Sequence, residues 1–324
     1  MQTLLPFEKK QRTLLTKKES ETNPKFGKEP NNLTLKELLN ESVLSINKPE
    51  GPTSHQTAEY VKEILNVNKA GHGGTLDPLV TGVLPIALNN ATKVLQTLLK
   101  GGKEYIALAH FHQPITKEQI QNIINNFQKK ITQLPPVRSA VKRIERQRNV
   151  YYINILEHKE KELLFQIGCE AGTYIRKIIH DMGKSVNTNA HMVQLIRTKA
   201  GPFTDKEWYS LYELKDAYES YKSGDETLLK KILKPKEFAV NHLPKIYIHD
   251  SAVDPLCHGA QLTLPGISKL DDKIEPDEMI GILTLKGELL ALAKSLLTSK
   301  KMIENQKGFA SKTLRVFMKE GTYK

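Results

Sequence analysis

Two cysteines, one tryptophan and an aromatic content of 6 % are all this chain of 324 residues offers in those classes. Cys169 and Cys257 stand far apart, and neither has Cys or His neighbours at metal-ligand spacing. No disulfide framework and no zinc site can be argued from them, and such sparse thiol usage fits a reducing compartment. No apolar run approaches the roughly 18 residues of a membrane-spanning helix. The first twenty residues lack the long apolar core of a signal peptide. The expectation is a cytoplasmic protein with no membrane contact. Internal repeats and low-complexity tracts are also missing, which excludes a solenoid.

What is present is a globular composition, 39 % hydrophobic and 26 % charged. That is enough apolar material for real cores, and the length suggests two domains with an additional arm. Lysine and arginine number 48 against 36 acids, a net charge of +12. A balance this basic favours a polyanionic partner, nucleic acid before an anionic membrane.

Residues 1–32 are polar and read as an arm. The pattern then predicts a short helix at Leu33–Leu39, a strand at Val43–Ile46, and a helix capped by Thr53 or Ser54 that runs to Leu65. A glycine-rich loop, Gly71-His72-Gly73-Gly74, leads to Thr75-Leu76-Asp77-Pro78. Lys103–Phe111 has strand character. In Thr116–Lys129, Ile120, Ile123, Ile124 and Phe127 fall at helical spacing. Strands are expected at Val150–Leu156 and Leu163–Glu170, and helices at Tyr174–Met182, Ala190–Ile196 and within 213–236. Beyond 243, short strands punctuated by Gly259, Pro265-Gly266 and Gly287 predict a small, mainly β domain. Helices and strands mix without βαβ alternation, so the fold class expected is α+β with a mixed or antiparallel central sheet flanked by helices.

The glycine-rich loop can present backbone N–H groups to a phosphate, but it lacks the Gly-Lys-Ser/Thr ending of a nucleotide-binding loop. A plain flexible turn is the simpler account of it. Asp77-Pro78 reads most simply as a helix cap with proline at the first helical position. Two features favour chemistry instead: the glycine-rich approach, and cationic candidates such as Arg176. An aspartate beside an arginine stays ionised and nucleophilic in a partly closed site. The segment 138–148 carries Arg138, Lys142, Arg143, Arg146 and Arg148 with a single acid. It suits phosphate tracking, or is simply a solvated loop. Tyr105, Tyr151, Tyr152 and Tyr174 could stack on unpaired bases or be half-buried core.

These segments together resemble the TruB-type pseudouridine synthases, specifically the archaeal H/ACA-type branch related to dyskerin. Ile46-Asn47-Lys48-Pro49 with Gly51-Pro52-Thr53-Ser54-His55 looks like its first motif. The run Lys69 to Pro78, then Thr81-Gly82-Val83-Leu84-Pro85, looks like the catalytic motif. Gly102-Lys103-Glu104-Tyr105, Gly172-Thr173-Tyr174-Ile175-Arg176 and Ala190 to Leu195 look like the rest. Residues 243–320 resemble a PUA domain, an RNA-binding β-module. Three departures stand out: Asn47 where aspartate is usual, Gln113-Pro114 where Gly-Asp is usual, and Ile196 where a basic residue is common.

The resemblance implies a pseudouridine synthase fold: an arm at 1–42 packed near the PUA side, a catalytic domain at 43–240 and the PUA domain at 243–324. It implies Asp77 as catalytic carboxylate, attacking C1′ or assisting formation of a glycal, with Arg176 pairing with it. Tyr105 would stack on the flipped uracil, Tyr174 and Leu195 would wall the pocket, and Lys48 and His72 would serve substrate binding. Arg138, Lys142, Arg143, Arg146 and Arg148, with His258 and Gly259, would contact RNA. No cofactor or metal is implied. The implied partners are an H/ACA guide RNA, substrate rRNA or tRNA, small zinc-ribbon-bearing and β-barrel proteins, and a kink-turn-binding protein held through the guide. Two alternatives stay open: a non-catalytic RNA-binding scaffold, and a guide-independent enzyme acting on a tRNA T-arm uridine.

Overall fold

The computed structural model describes residues 4–135 and 142–324. Two sheets organise it. The strands of the arm and of the larger sheet are, in chain order, β1 (Leu14–Thr16), β2 (Ser42–Lys48), β3 (Ala70–His72), β4 (Thr81–Leu88), β5 (Lys103–Phe111), β6 (Lys130–Gln133), β7 (Arg146–Lys159), β8 (Glu162–Cys169) and β9 (Ala190–Ala200). The larger sheet runs Lys234–Pro235, β2, β4, β9, β5, β8, β7, β6, with β3 beside β4. Only β4 and β9 pair in parallel along this path; the other pairings are antiparallel. The sheet is therefore mixed, and helices flank it, as the α+β expectation requires.

Local chemistry sets the helix starts. Thr34, Thr53 and Thr116 cap their helices, and Glu37, Gln56 and Gln119 reciprocate as capping boxes. The helix Lys117–Phe127 buries Ile120 and Ile123 and packs Ile124 and Phe127 against the same core. Three expectations need correction. Ala190–Ile196 is not a helix: it lies inside β9, hydrogen-bonded between β4 and β5, where sheet pairing overrides local propensity. The glycine-rich loop begins as strand β3, and Gly73 N–H still donates to the Pro85 carbonyl of β4 at 2.8 Å, so the chain turns off β4 only after Gly73. Residues 213–236 divide into Leu211–Lys222 and Thr227–Ile232, then a strand.

The second sheet runs β1, Ile267–Asp271, Lys245–Ile248, Met279–Thr284, Leu289–Ser295, Phe309–Val316, Leu262–Thr263. The arm is thus a strand of this sheet, with Leu15 opposite Leu270. Lys17 adds to the seam: its Nζ donates to the carbonyls of Met302, Ile303 and Asn305 at 2.5, 3.2 and 2.6 Å. That satisfies the open C-terminal carbonyls of the helix Ser299–Glu304. Among the described residues no helix is long and apolar enough to cross a membrane.

His242 lies buried where the arm, the Asn89–Thr97 turn helix and the chain entering the second sheet meet. Its Nε2 contacts the Thr97 carbonyl at 3.2 Å, Phe7 packs edge-on at 5.8 Å, and Nδ1 has no partner. Burial pushes its pKa down to about 4, with Lys103, Arg12 and Lys245 adding to the effect. An unfolded histidine titrates near ~6.5. Between these values the unfolded chain binds more protons, so stability falls as pH falls through that window. Thermal melts from pH 7 to pH 4.5 should decline more steeply for wild type than for His242→Gln, whose amide can still donate to Thr97.

Candidate active site

Asp77 sits on the loop between β3 and β4, which is fixed from several sides. The Ser54 hydroxyl donates to the Leu76 carbonyl at 3.1 Å and accepts the Leu76 N–H at 2.8 Å. The Lys48 ammonium donates to the carbonyls of Pro49, Pro78 and Val80 at 2.8, 2.9 and 2.9 Å. Gly51 N–H also reaches the Pro78 carbonyl, at 3.0 Å. Val80 N–H donates to the Asp77 carbonyl at 3.0 Å, closing a β-turn with Pro78 at its second position. Asp77-Pro78 is therefore a turn and not a helix cap. At Gly82 (φ +106°) a Cβ would lie 2.3 Å from the Arg197 carbonyl oxygen, so only glycine permits the β4–β9 contact beside this turn.

Arg176 occupies the first turn of the helix Ile175–Ser185 and forms an ion pair with Asp77. Both side chains are about half exposed, at 55 % and 52 %, so the carboxylate is open to a ligand. Behind them lies an apolar wall: Leu76, Val80, Tyr105 and Leu195 share one buried cluster. Tyr105 on β5 faces Arg197 on β9, and Leu195 lies two residues before it. Tyr174, half-buried, precedes the helix that carries Arg176.

Arg197 was not singled out by the sequence: it stands just past Ala190–Ile196, the segment expected to be a helix. It is buried at 1 % exposure. Its Nε donates to the Val83 carbonyl at 2.7 Å and its Nη2 to the Gly74 carbonyl at 3.0 Å. Its guanidinium stands near enough to Tyr105 to act electrostatically on the phenol. Burial raises the Tyr105 pKa above its ordinary value, and the guanidinium only partly opposes this. Tyr105 is therefore protonated at neutral pH, suited to stacking and hydrogen-bond donation and unsuited to being a base.

Lys48 is fully buried, and its three donors all go to loop carbonyls, which places it beneath the site and out of a ligand's reach. His72 on β3 is half-buried, its pKa lowered by burial first and by Arg197 and His55 next, and its Nδ1 has no partner. Among the basic residues, Arg138 lies outside the described residues. Lys142 and Arg143 are exposed. Arg146 donates to the Lys142 carbonyl at 3.4 Å. Arg148 turns inward, 20 % exposed, 3.9 Å from Glu170 and packed over Gly172. His258 is half-exposed and pairs with Glu320 at 3.3 Å, and nothing lies within 4 Å of where a Cβ on Gly259 would stand. These two are in the second sheet region, on a different part of the chain from Asp77.

Comparison with known proteins agrees along the whole chain. The model of the TruB family pseudouridylate synthase N-terminal domain matches residues 62–114 and 110–175. The tRNA pseudouridylate synthase B C-terminal domain matches 176–241, the PUA domain 244–317, and the DKCLD domain 2–58. Relatives named "Probable tRNA pseudouridine synthase B" include one from Methanopyrus kandleri, 46 % identical over 98 % of this chain and 94 % of its own length. One from Nanoarchaeum equitans is 48 % identical over 98 % and 92 %. A chain in the crystal structure of a Cbf5-Nop10-Gar1 complex superposes with a TM-score of 0.94 at 46 % identity, covering 99 % and 98 %. Another, from an H/ACA RNP bound to a substrate RNA containing 2′-deoxyuridine, gives 0.92 at 44 %, covering 99 % of each chain. The chain belongs to the TruB family and is a pseudouridine synthase, an isomerase of uridine in RNA.

Proposed function

We propose that Asp77 is the catalytic carboxylate of this enzyme and that an H/ACA guide RNA selects the uridine it isomerises. The observation that carries the site reading is the Asp77–Arg176 pair, half-open to solvent in front of the buried wall of Tyr105 and Leu195. A flipped uracil lies against that wall, with Tyr105 at its face and Tyr174 at the pocket edge. Unstacking the base costs a few kcal/mol, so unpaired or loop uridines are preferred. Asp77 supplies negative charge at C1′ as the C1′–N1 bond breaks, and Arg176 holds that carboxylate ionised and aimed. Tyr105 donates a hydrogen bond and stacks. Lys48 and Ser54 fix the loop from beneath, and His72 lines the approach. Lys142, Arg143 and Arg146, with Arg138, track phosphates, Arg148 is held back from that face by Glu170, and His258 and Gly259 serve guide binding.

The guided reading draws on the relatives' assemblies, which contain Nop10, Gar1 and RNA. By that likeness a small zinc-ribbon-bearing protein, a small β-barrel protein and, through the guide, a kink-turn-binding protein assemble on this chain in the cytoplasm. The working division is an arm at 1–42, a catalytic domain at 43–240 and a PUA domain at 243–324; the change of sheet near His242 supports its second boundary, whereas the helix Leu35–Glu41 buries Leu35 and Leu38 in one core with β2 and β4, so the arm proper ends before Leu35. The tRNA name carried by relatives favours a second activity, on a T-arm uridine without a guide. Tritium release from RNA containing 5-tritiated uridine decides between them. Release from rRNA fragments only when guide and partner proteins are present supports guided action. Release from tRNA by the bare chain at an equal rate would make the tRNA reading primary.

A further inference from the structure

Arg176 can face Asp77 only if the helix Ile175–Ser185 begins at the right place and in the right direction. Its start is unusual. The N-cap residue is Tyr174, whose side chain makes no capping hydrogen bond. Serine, threonine, aspartate or asparagine would normally do so. The start is instead held at Tyr174 itself, by a side chain from 41 residues away. Gln133 Nε2 donates to the Tyr174 carbonyl at 3.1 Å, and Gln133 Oε1 accepts the Tyr174 N–H at 3.0 Å.

Both halves of one amide thus grip both polar groups of one peptide-bearing residue. A single hydrogen bond permits rotation about its axis; this pair does not, because donor and acceptor cannot exchange roles without losing both. Gln133 is 3 % exposed, and it is the buried residue of an otherwise exposed or half-exposed edge strand, β6. A polar residue at the one covered position of that strand is costly unless its bonds are made. The Tyr174 carbonyl meanwhile accepts Lys177 N–H and Ile178 N–H, both at 3.1 Å, so the gripped group is also the origin of the helix's first turn. Two residues beyond Tyr174 stands Arg176.

We infer that Gln133 is a positioning residue for catalysis: its amide fixes Tyr174 and, through the first helical turn, aims Arg176 at Asp77. It touches no substrate. The inference rests on the reading of Asp77 and Arg176 given above, and the test separates the two.

Four proteins are compared with wild type, assembled with guide RNA and partner proteins or on tRNA, whichever wild type turns over: Gln133→Met, Gln133→Glu, Arg176→Ala and the Gln133→Met/Arg176→Ala double variant. Methionine preserves length and packing volume but makes neither hydrogen bond. Single-turnover tritium release reads the chemical step, filter binding reads RNA affinity, and thermal melting reads the fold. Gln133→Met should slow the chemical step about 10- to 100-fold, the scale of a misplaced catalytic group. RNA affinity should hold, with Tm lower by about 2–6 °C. In the Arg176→Ala background the same change should slow the step by less than about twofold, because the group it aims is gone. Gln133→Glu keeps the acceptor for the Tyr174 N–H but sets a second acceptor against the Tyr174 carbonyl at a buried position, and should slow the step at least as much as Gln133→Met.

A wild-type rate in Gln133→Met, or an equal loss in the Arg176→Ala background, overturns the inference. Failure of both Gln133 variants to fold also overturns it, since the residue would then serve the fold alone. An unchanged rate in Arg176→Ala would instead overturn the underlying site reading.

Discussion

Asp77→Asn is expected to abolish tritium release from uridine-labelled RNA, a loss of about four orders of magnitude or more, as for removal of a catalytic group that acts as a unit with its partners. The fold should not register the change. Asparagine has nearly the same shape and still offers an oxygen to Arg176. The ion pair it replaces is half exposed, and pairs of that kind contribute little to stability. Tm should move by no more than about 2 °C. RNA affinity should stay within about threefold of wild type, since one exposed carboxylate is a small part of a polyelectrolyte interaction; any change should be toward tighter binding, because a negative charge facing phosphate is removed. The combination of full binding, full stability and no product separates an enzyme from a binding scaffold. Product formation by the variant at more than about one-hundredth of the wild-type rate would remove Asp77 from the chemistry.

The parts of this site differ in how far the chain reveals them. Asp77, Tyr105 and Arg176 lie in short runs whose order carries the family likeness, and Lys103–Phe111 emerges as β5 with its predicted limits. Arg197 and Gln133 are invisible in that way because their roles exist only in the pairing of distant segments. Arg197 is hidden by β9 itself. That strand buries Ala190, Leu195, Arg197, Thr198 and Ala200 and exposes Val193, so no clean alternation survives. Two register shifts against β5, at Glu104/Tyr105 and Leu108/Ala109, are the reason: each bulge changes which residues face which side. A pattern broken in this manner can imitate helical spacing. The arm hides for a different reason. Its polar composition speaks for a solvated segment, yet β1 gains its order from backbone pairing with Ile267–Asp271 and from Lys17 on the carbonyls of the helix Ser299–Glu304, neither of which needs an apolar stretch.

Lys48 joins these two levels, and its replacement by methionine should be the most informative change outside the reacting pair. Lysine before Pro49 is legible as part of a motif, but the reason for it is the buried ammonium under the Asp77 turn. Its three protons meet three carbonyls, at Pro49, Pro78 and Val80, the last two belonging to the turn itself. Burial lowers the Lys48 pKa, the cost of holding a cation there, and the three carbonyls offset it. Methionine fills the same space and removes that cost, but leaves the carbonyls of Pro49 and Val80 without this donor; Pro78 keeps Gly51. Of these two, the Val80 carbonyl is buried and costs about 1–3 kcal/mol when left unpaired, whereas Pro49 is exposed and water can serve it; the relief of cation burial counts against the loss. The net expectation is a Tm lower by about 2–5 °C. The rate should suffer more than the fold. The turn sets where the Asp77 carboxylate stands, and a shift of about 1 Å is enough for a loss near 100-fold. Single-turnover rates of Lys48→Met at 25 °C, with the folded fraction checked by circular dichroism, should therefore fall about 100-fold at unchanged RNA affinity. A rate within about threefold of wild type, at any loss of Tm, would mean that the turn keeps its shape without the ammonium and that Ser54 and Gly51 suffice to hold the carboxylate.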